Sequence, residues 1–445
     1  MEKGSLLYKI KEGIQDSCYI WAREMRDSFK DEGVLIFFIL VPIFYPVLYS
    51  WIYNNQVVRN VPVAVIDQSK SDMSREFVRK VDAAPDVKVA YYCNNLEEAK
   101  NLVGKQVVKG IIYIPGDFQR KVVRHEQAKR AIIDMPGEQA VVSVYCDMAI
   151  MLYYKAIYQT TVAVSSGMNA HIQIPQSQNF TDREDEVTTK PLDYDDVPIF
   201  NSTTGYGDFI IPGVLILILH QTLLLGIGLA AGTARENNRY QDLIPTSKHY
   251  NGLFRIVIGK SMCYFMIYCI MAAWVVMIIP KLFGFVHLIS FSECVAIMVP
   301  FLLATIFFGM MISCTIRYRE NVMLLVVFTS VPLLFMSGVS WPQANMPGVW
   351  QAVACFFPST FGMRAFIRLN TMGANLSDVQ IEYQALWIQT LVYFLLTCAV
   401  YRFQLNMAKK HALDHIHSLR EKAERAKAAK KASGTMTVLP TATEE

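Results

Sequence analysis

The sequence predicts an α-helical membrane protein with six transmembrane helices and an α/β extracytoplasmic domain inserted between the first and second. Three observations predict it. Of the 445 residues, 53% are hydrophobic and only 18% charged, which is more apolar surface than one soluble core needs. That surface gathers into six nearly charge-free runs of about 20 residues, the length a helix needs to cross a hydrocarbon layer. Over residues 54–206, between the first two runs, the periodicity switches to alternating short strands and helices.

Residues 1–33 precede the first run. Within them Ile14, Cys18, Trp21, Met25 and Phe29 recur at helical spacing, with Lys11, Arg23, Arg26 and Lys30 elsewhere on the wheel. That pattern predicts an amphipathic helix lying on the inner membrane face. The first span, 34–53, ends in Trp51 and Tyr53, whose rings suit the water interface. In 54–206, strands are expected at Val61–Ile66, Val87–Tyr92, Val107–Ile114 and Ala131–Asp134. Helices are expected through Met73, Phe77 and Val81, and after Asn95, where Glu98 completes a capping pattern. Residues 138–170 read as helical and 176–206 as an acidic loop returning to the membrane.

The remaining five spans fall within 207–402, at 209–231, 256–279, 291–316, 322–341 and 385–401. Pro42, Pro46, Pro212, Pro300 and Pro332 lie inside spans, where neighbouring helices satisfy the freed carbonyls. Residues 403–445 form a basic tail, expected to prolong the last helix to about 432 and to be disordered after Ser433.

Lys and Arg gather in the first 33 residues, after the second span, at Arg317 and Arg319, and in the tail. All four segments fall on one side, so both termini are expected in the cytoplasm of a multi-pass protein of the inner (plasma) membrane. The net charge of +4 then reflects topology, and no nucleic-acid partner is expected. Most of the nine cysteines lie in or beside spans; Cys93 and Cys146 lie in the outer domain, where a disulfide and two buried thiols both remain open.

Catalytic chemistry is missing. Gly259-Lys260-Ser261 ends like a phosphate-binding loop, but Phe254 stands where its first glycine belongs. Gly228 and Gly232, four residues apart, fit close helix packing in lipid. There is no metal-ligand cluster or nucleophile pattern, so no catalytic residue, metal or cofactor is assigned to this chain. Of the ionisable groups in the spans, Lys260 reads as snorkelling to the cytoplasmic boundary and Glu293 as solvated at the outer one. His220 is open between a packed, satisfied imidazole and a place on a substrate path. The sequons at Asn179, Asn201 and Asn375 are no more than chance would give.

Several stretches together resemble the ABC-2 type permeases, in particular the bacterial multidrug and multisubstrate exporters with a large outer domain. They are Trp21 to Asp27, Val63 to Asp67 with Ser71 to Phe77, Ile112 to Phe118, Ile210 to Gly213, Arg235-Glu236 with Gly259-Lys260, and Ser337 to Pro342 with Met346, Pro347, Pro358 and Arg364. The resemblance implies an exporter permease with ATP and Mg held by separate ABC ATPase subunits, and the apolar, Met- and Phe-rich spans suggest an amphipathic or lipophilic substrate. It further implies a second permease subunit, identical or related, a periplasmic adaptor on the outer domain, and contact with membrane lipids.

By the same resemblance Arg23, Glu24, Arg235 and Glu236 are the ATPase-coupling candidates. A re-entrant outer hairpin is expected at about 342–366, shaped by Gly338, Trp341, Pro342, Met346, Pro347, Pro358 and Arg364. The chain departs from the family after Glu236, where Asn237 to Asp242 replaces the usual Gly-Thr and acidic pattern. The competing reading is a membrane-anchored receptor or assembly factor, for which one span would suffice; an ion-driven secondary transporter is a third.

Overall fold

In a computed structural model of the protein, the described residues are 6–130, 139–177, 181, 184, 199–201, 204–238, 242–244, 250, 252–316 and 318–434. They form two compact units, Asn55–Ile199 on one hand and Met1–Asn54 with Phe200–Glu445 on the other. The chain opens with the amphipathic helix α1 (Leu6–Lys30) and the apolar helix α2 (Glu32–Ile52). Asp31 separates them: its Oδ1 accepts from the amides of Gly33 (2.9 Å) and Val34 (3.1 Å), satisfying two donors that a helix start leaves unpaired. A widened π turn at Ile36–Leu40 precedes Pro42, which has no N–H to donate to the regular ladder.

The smaller unit runs β1 (Val61–Asp67), α3 (Asp72–Asp82), β2 (Val87–Tyr92), α4 (Leu96–Gly104), β3 (Gly110–Ile114), α5 (Phe118–Arg130), β4 (Ser143–Cys146) and α6 (Met151–Ser177). The sheet order is β2-β1-β3-β4, with β1 parallel to both neighbours and β4 antiparallel to β3. Val61, Val63 and Val65 pack on one side with Phe77, Val81, Ile112 and Ile157, while Ala64 and Ile66 pack on the other with Val108, Ile111 and Ala99. Burial on both faces is why β1 reads as an unbroken apolar run rather than an alternating one.

The expected fourth strand at Ala131–Asp134 lies outside the described residues, as does most of 176–206. A strand instead occupies Ser143–Cys146, inside the stretch read as helical, and α6 starts only at Met151. Val142, Val144 and Tyr145 are stiff or bulky side chains that suit a pleated edge, and the open side of β3 supplies the partner. Cys93 and Cys146 are free thiols.

The larger unit continues with α7 (Tyr206–Glu236), α8 (Leu253–Phe283), α9 (Phe291–Thr315), α10 (Arg319–Met336), α11 (Gly348–Ala354), α12 (Pro358–Thr371) and α13 (Gln380–Gly434). Among the described residues, six helices are long and apolar enough to cross a membrane: α2, α7, α8, α9, α10, and α13 over Gln380–His411. Helix α7 is apolar all round and sits at the hub, packed against α2, α8, α9, α10 and α12. Its glycines permit that crowding. A Cβ at Gly228 would lie 2.2 Å from Val322, and one at Gly232 would lie 2.6 Å from the Arg319 side chain, so the Gly228 and Gly232 pair brings α10 against α7 as the spacing predicts.

The span expected at 322–341 ends early, because the chain turns at Gly338 with φ +91°, a conformation that glycine alone adopts without strain. Beyond it, a 3₁₀ turn at Gln343–Asn345, α11 and α12 make a helical hairpin in the expected region. Pro342 and Pro347 stand just before two of these helices and Pro358 opens the third. The Gln351 side-chain amide donates to the carbonyls of Gln343 (3.1 Å) and Met346 (2.9 Å), and Arg364 Nε donates to Ser337 O (3.2 Å), closing the turn around Gly338. Trp341 is exposed. The tail helix continues unbroken past the apolar part of α13 to Gly434; residues 435–445 lie outside the described residues.

Candidate coupling site

Helix α1 does not float on the bundle; it is fastened to it. It packs along the start of α8, where a Cβ on Gly259 would lie 2.9 Å from the Ser17 carbonyl oxygen and 2.9 Å from Ile20 Cβ. Only glycine permits so close a seam, and Ile20, fully buried, fills it. Ion pairs lock both ends. Arg255 pairs with Asp16, while Lys260 Nζ donates to both carboxylate oxygens of Glu24 at 2.8 Å, and the Tyr264 hydroxyl donates to Glu24 as well. The Lys260 and Glu24 side chains are 4% and 11% exposed. Lys260 therefore does not snorkel: its charge is turned inward, where the Glu24 carboxylate, which also accepts from the Tyr264 hydroxyl, compensates it.

Asp31 makes a second junction. Besides capping α2, it receives Arg319 Nη2 (2.9 Å) from the start of α10 and the Thr233 hydroxyl from the end of α7, so one carboxylate joins three apolar helices. Burial works to raise the Asp31 carboxyl, but the Thr233 hydroxyl, the Val34 amide and the Arg319 guanidinium together hold it below its ordinary value of 3.8. A depressed carboxyl stabilises the fold fully above its unfolded value and loses that contribution as pH falls through the folded one. Acidification below about pH 4 is therefore expected to lower the melting temperature of the wild type more steeply than that of Asp31→Asn, measured in detergent across a pH series.

The four coupling candidates divide into a buried and an exposed pair. Glu24 is held inside as described. Arg235 is 5% exposed, and its guanidinium donates to the carbonyls of Cys314 and Ile316 at 2.6 Å each, satisfying acceptors that the end of α9 leaves open. Arg23 and Glu236 have side chains 41% and 54% exposed, Arg23 stacked 5.7 Å over the Tyr250 ring and Glu236 3.9 Å from Arg319. Arg23 and Glu24 line a cavity of about 500 Å³ with Asp27, Asp31, Asn237 and Lys260, whereas Arg235 and Glu236 line a second one of about 390 Å³ with Asp242 and His411. Beyond α7 the segment reaches Asp242, whose carboxylate meets His411 Nδ1 (3.0 Å) on the prolonged α13.

Sequence reasoning missed Asp16, Asp31, Thr233, Arg255, Arg319 and the Asp242–His411 contact. The only local sign was charged residues at the ends of apolar runs, which gives no pairing.

His220 lies at mid-height of α7, fully buried, with ring centroids of Phe301 and Phe308 at 6.5 and 6.4 Å. Neither ring nitrogen has a hydrogen-bond partner among the described residues, so the satisfied imidazole is not what is found. Glu293 has a definite structural task, its carboxylate accepting from the Ser290 amide (3.1 Å) as half of the cap that opens α9. Among the described residues there is no group of three or more His, Cys, Asp or Glu placed to hold a metal.

The linearmycin resistance permease protein LnrN of Bacillus subtilis (strain 168) is 24% identical over 350 residues, a stretch covering 75% of this chain and 86% of that protein. The matched length takes in far more than the apolar spans alone. Residues 33–399, from the start of α2 into α13, match the family described as ABC-2 family transporter protein, and the chain belongs to that family as a multi-pass permease.

Proposed function

We propose that this permease subunit exports an amphipathic or lipophilic cargo across the inner (plasma) membrane, using ATP hydrolysed on separate ABC ATPase subunits. The observation that carries the proposal is the buried Glu24–Lys260 pair: it makes α1, an amphipathic helix with an exposed polar face, mechanically continuous with the apolar helix α8. A force on the exposed face of α1 then reaches a span rather than dissipating at the surface. Arg23 and Glu236 supply the contact, and Glu24 and Arg235 act behind it as internal ties. An ATPase shifts the bundle only by engaging two of its arrangements unequally, which is what a rigid lever at this position permits.

In this reading both termini and the segment 237–252 are cytoplasmic and the unit Asn55–Ile199 lies outside, where it meets a periplasmic adaptor. A second permease copy, identical or related, completes the pathway, lipids cover the exposed apolar side chains of α10, and the outer hairpin borders the exit. His220 belongs to the substrate path, where a cargo hydroxyl or carbonyl supplies the partner that its imidazole lacks.

The test exchanges charges on the exposed pair alone. Arg23→Glu with Glu236→Arg is expected to lower the melting temperature only slightly, since both side chains are exposed and give up surface contacts alone, and to lower ATP-dependent export in sealed vesicles about tenfold, with weaker co-purification of the ATPase. Unchanged export would remove these residues from the coupling contact. Export that persists without ATP in an ion gradient would overturn the reading as a whole.

A further inference from the structure

The smaller unit carries a hollow to which nothing above assigns a role. Its sheet is parallel over β2, β1 and β3, and the connections leaving β1 and β3 part in opposite directions, β1 through α3 to β2 and β3 through α5 to β4. In open α/β sheets the crevice outside the carboxyl ends of two such strands is where ligands bind, because the diverging loops leave space that the sheet itself cannot fill. Here that position holds an open cavity of about 570 Å³, lined by Ser69 and Ser71 from the β1–α3 loop and by Gly116, Gln119, Arg120 and Arg124 from the β3–α5 side.

The floor is built rather than incidental. The Gln68 amide donates to Ile114 O (3.0 Å) and the Tyr113 hydroxyl to Gln68 Oε1 (2.9 Å), which ties the two loops together beneath the hollow. Two of the acids flanking these loops are already engaged: Asp67 accepts from the Ser74 hydroxyl (2.7 Å) and the Lys70 amide (2.9 Å), and Asp117 pairs with Lys121 (2.9 Å). Arg120 and Arg124, one helical turn apart, have no carboxylate within ion-pair distance among the described residues. Two guanidinium forks beside hydroxyls and an amide side chain match an oxyanion, which they can meet with paired, charge-assisted hydrogen bonds. The volume exceeds that of a bare ion and falls in the range of small-molecule sites.

We propose that this hollow binds a small molecule or headgroup through its phosphate or carboxylate, with Arg120 and Arg124 as the anion ligands and Ser69 and Gln119 as polar contacts. The site is independent of the coupling site, and its test does not involve transport. The full-length permease in detergent is titrated with inorganic phosphate at constant ionic strength, following the melting temperature, and is separately reconstituted in nanodiscs of phosphatidylglycerol or of phosphatidylcholine.

Phosphate is expected to raise the melting temperature saturably, and Arg120→Gln with Arg124→Gln to weaken the apparent affinity at least about tenfold. Lys88→Gln with Lys100→Gln, which removes the same charge elsewhere on the unit, is expected to leave it unchanged. An arginine-dependent shift seen only in phosphatidylglycerol identifies the oxyanion as a lipid headgroup rather than a soluble molecule and supports the site equally. Equal responses of the arginine and lysine variants, or no response in either arm, overturn it.

Discussion

Glu24→Ala is expected to destabilise the permease by about 3–5 kcal/mol, because it leaves the Lys260 ammonium enclosed without its counter-charge. Lys260 is 4% exposed on its side chain and both of its short hydrogen bonds run to Glu24, so no other acceptor of comparable geometry remains among the described residues. The loss should appear as a lower melting temperature in detergent and as reduced export. The opposite expectation holds for the double variant Glu24→Leu with Lys260→Met. Removing both charges together avoids the orphaned ion, and apolar groups of similar volume in a buried pair are often neutral or stabilising. One cost persists, since the Tyr264 hydroxyl also donates to Glu24 and would lose its acceptor, a penalty of about 1–3 kcal/mol.

The double variant should therefore recover most of the stability. It should recover export with it, since an apolar seam between α1 and α8 transmits force as well as an ionic one. A double variant that melts like the wild type yet does not export would assign the charges themselves, rather than the attachment, to coupling. A Glu24→Ala protein as stable as the wild type would mean that the pair is solvated in the membrane-bound molecule.

The apolar framework was legible because it is local. Span length, the Gly228 and Gly232 spacing, the helical wheel of α1, and the strand–helix alternation from Val61 to Ile114 each depend on residues within one or two turns of one another. The coupling site depends on something else. Glu24 and Lys260 lie 236 residues apart, and Asp31 and Arg319 lie 288 apart, so no window along the chain contains both members. Lys260 taken alone looks like a cation that snorkels, and Arg235 taken alone looks like a headgroup-level charge. Each acquires its role only when packing brings a carboxylate or a helix end beside it.

The misread stretch at Ser143–Cys146 fails for the same reason, since its strand character comes from the free edge of β3 more than from its own four residues. His220 shows the limit from the other side: the sequence places it in a span, but that both nitrogens go unsatisfied depends on the two phenylalanine rings of α9 beside it.

Gly259→Val is expected to have the second large effect, and for a purely steric reason. Even the first carbon of a side chain there would stand 2.9 Å from the Ser17 carbonyl oxygen and 2.9 Å from Ile20 Cβ. The oxygen belongs to the α1 backbone and the Cβ is fixed to it, so neither can swing aside as the tip of a flexible side chain could; the helix as a whole must move. Overpacking of this kind costs about 1–3 kcal/mol. The functional loss should be larger than that figure suggests, because the residue next to Gly259 is Lys260, and a shifted α1 carries Glu24 out of bidentate reach.

Measured together, the melting temperature should fall moderately, ATP-dependent export should fall about tenfold or more, and a cysteine introduced at Ile20 should become reactive to a soluble maleimide. Gly167→Ala supplies the control, since nothing lies within 4 Å of a Cβ there and a helical alanine is favoured over glycine. If Gly259→Val keeps position 20 protected and export intact, α1 and α8 are not in contact in the working transporter, and the lever that joins the exposed charges to the spans has to be sought in the Asp31 junction instead.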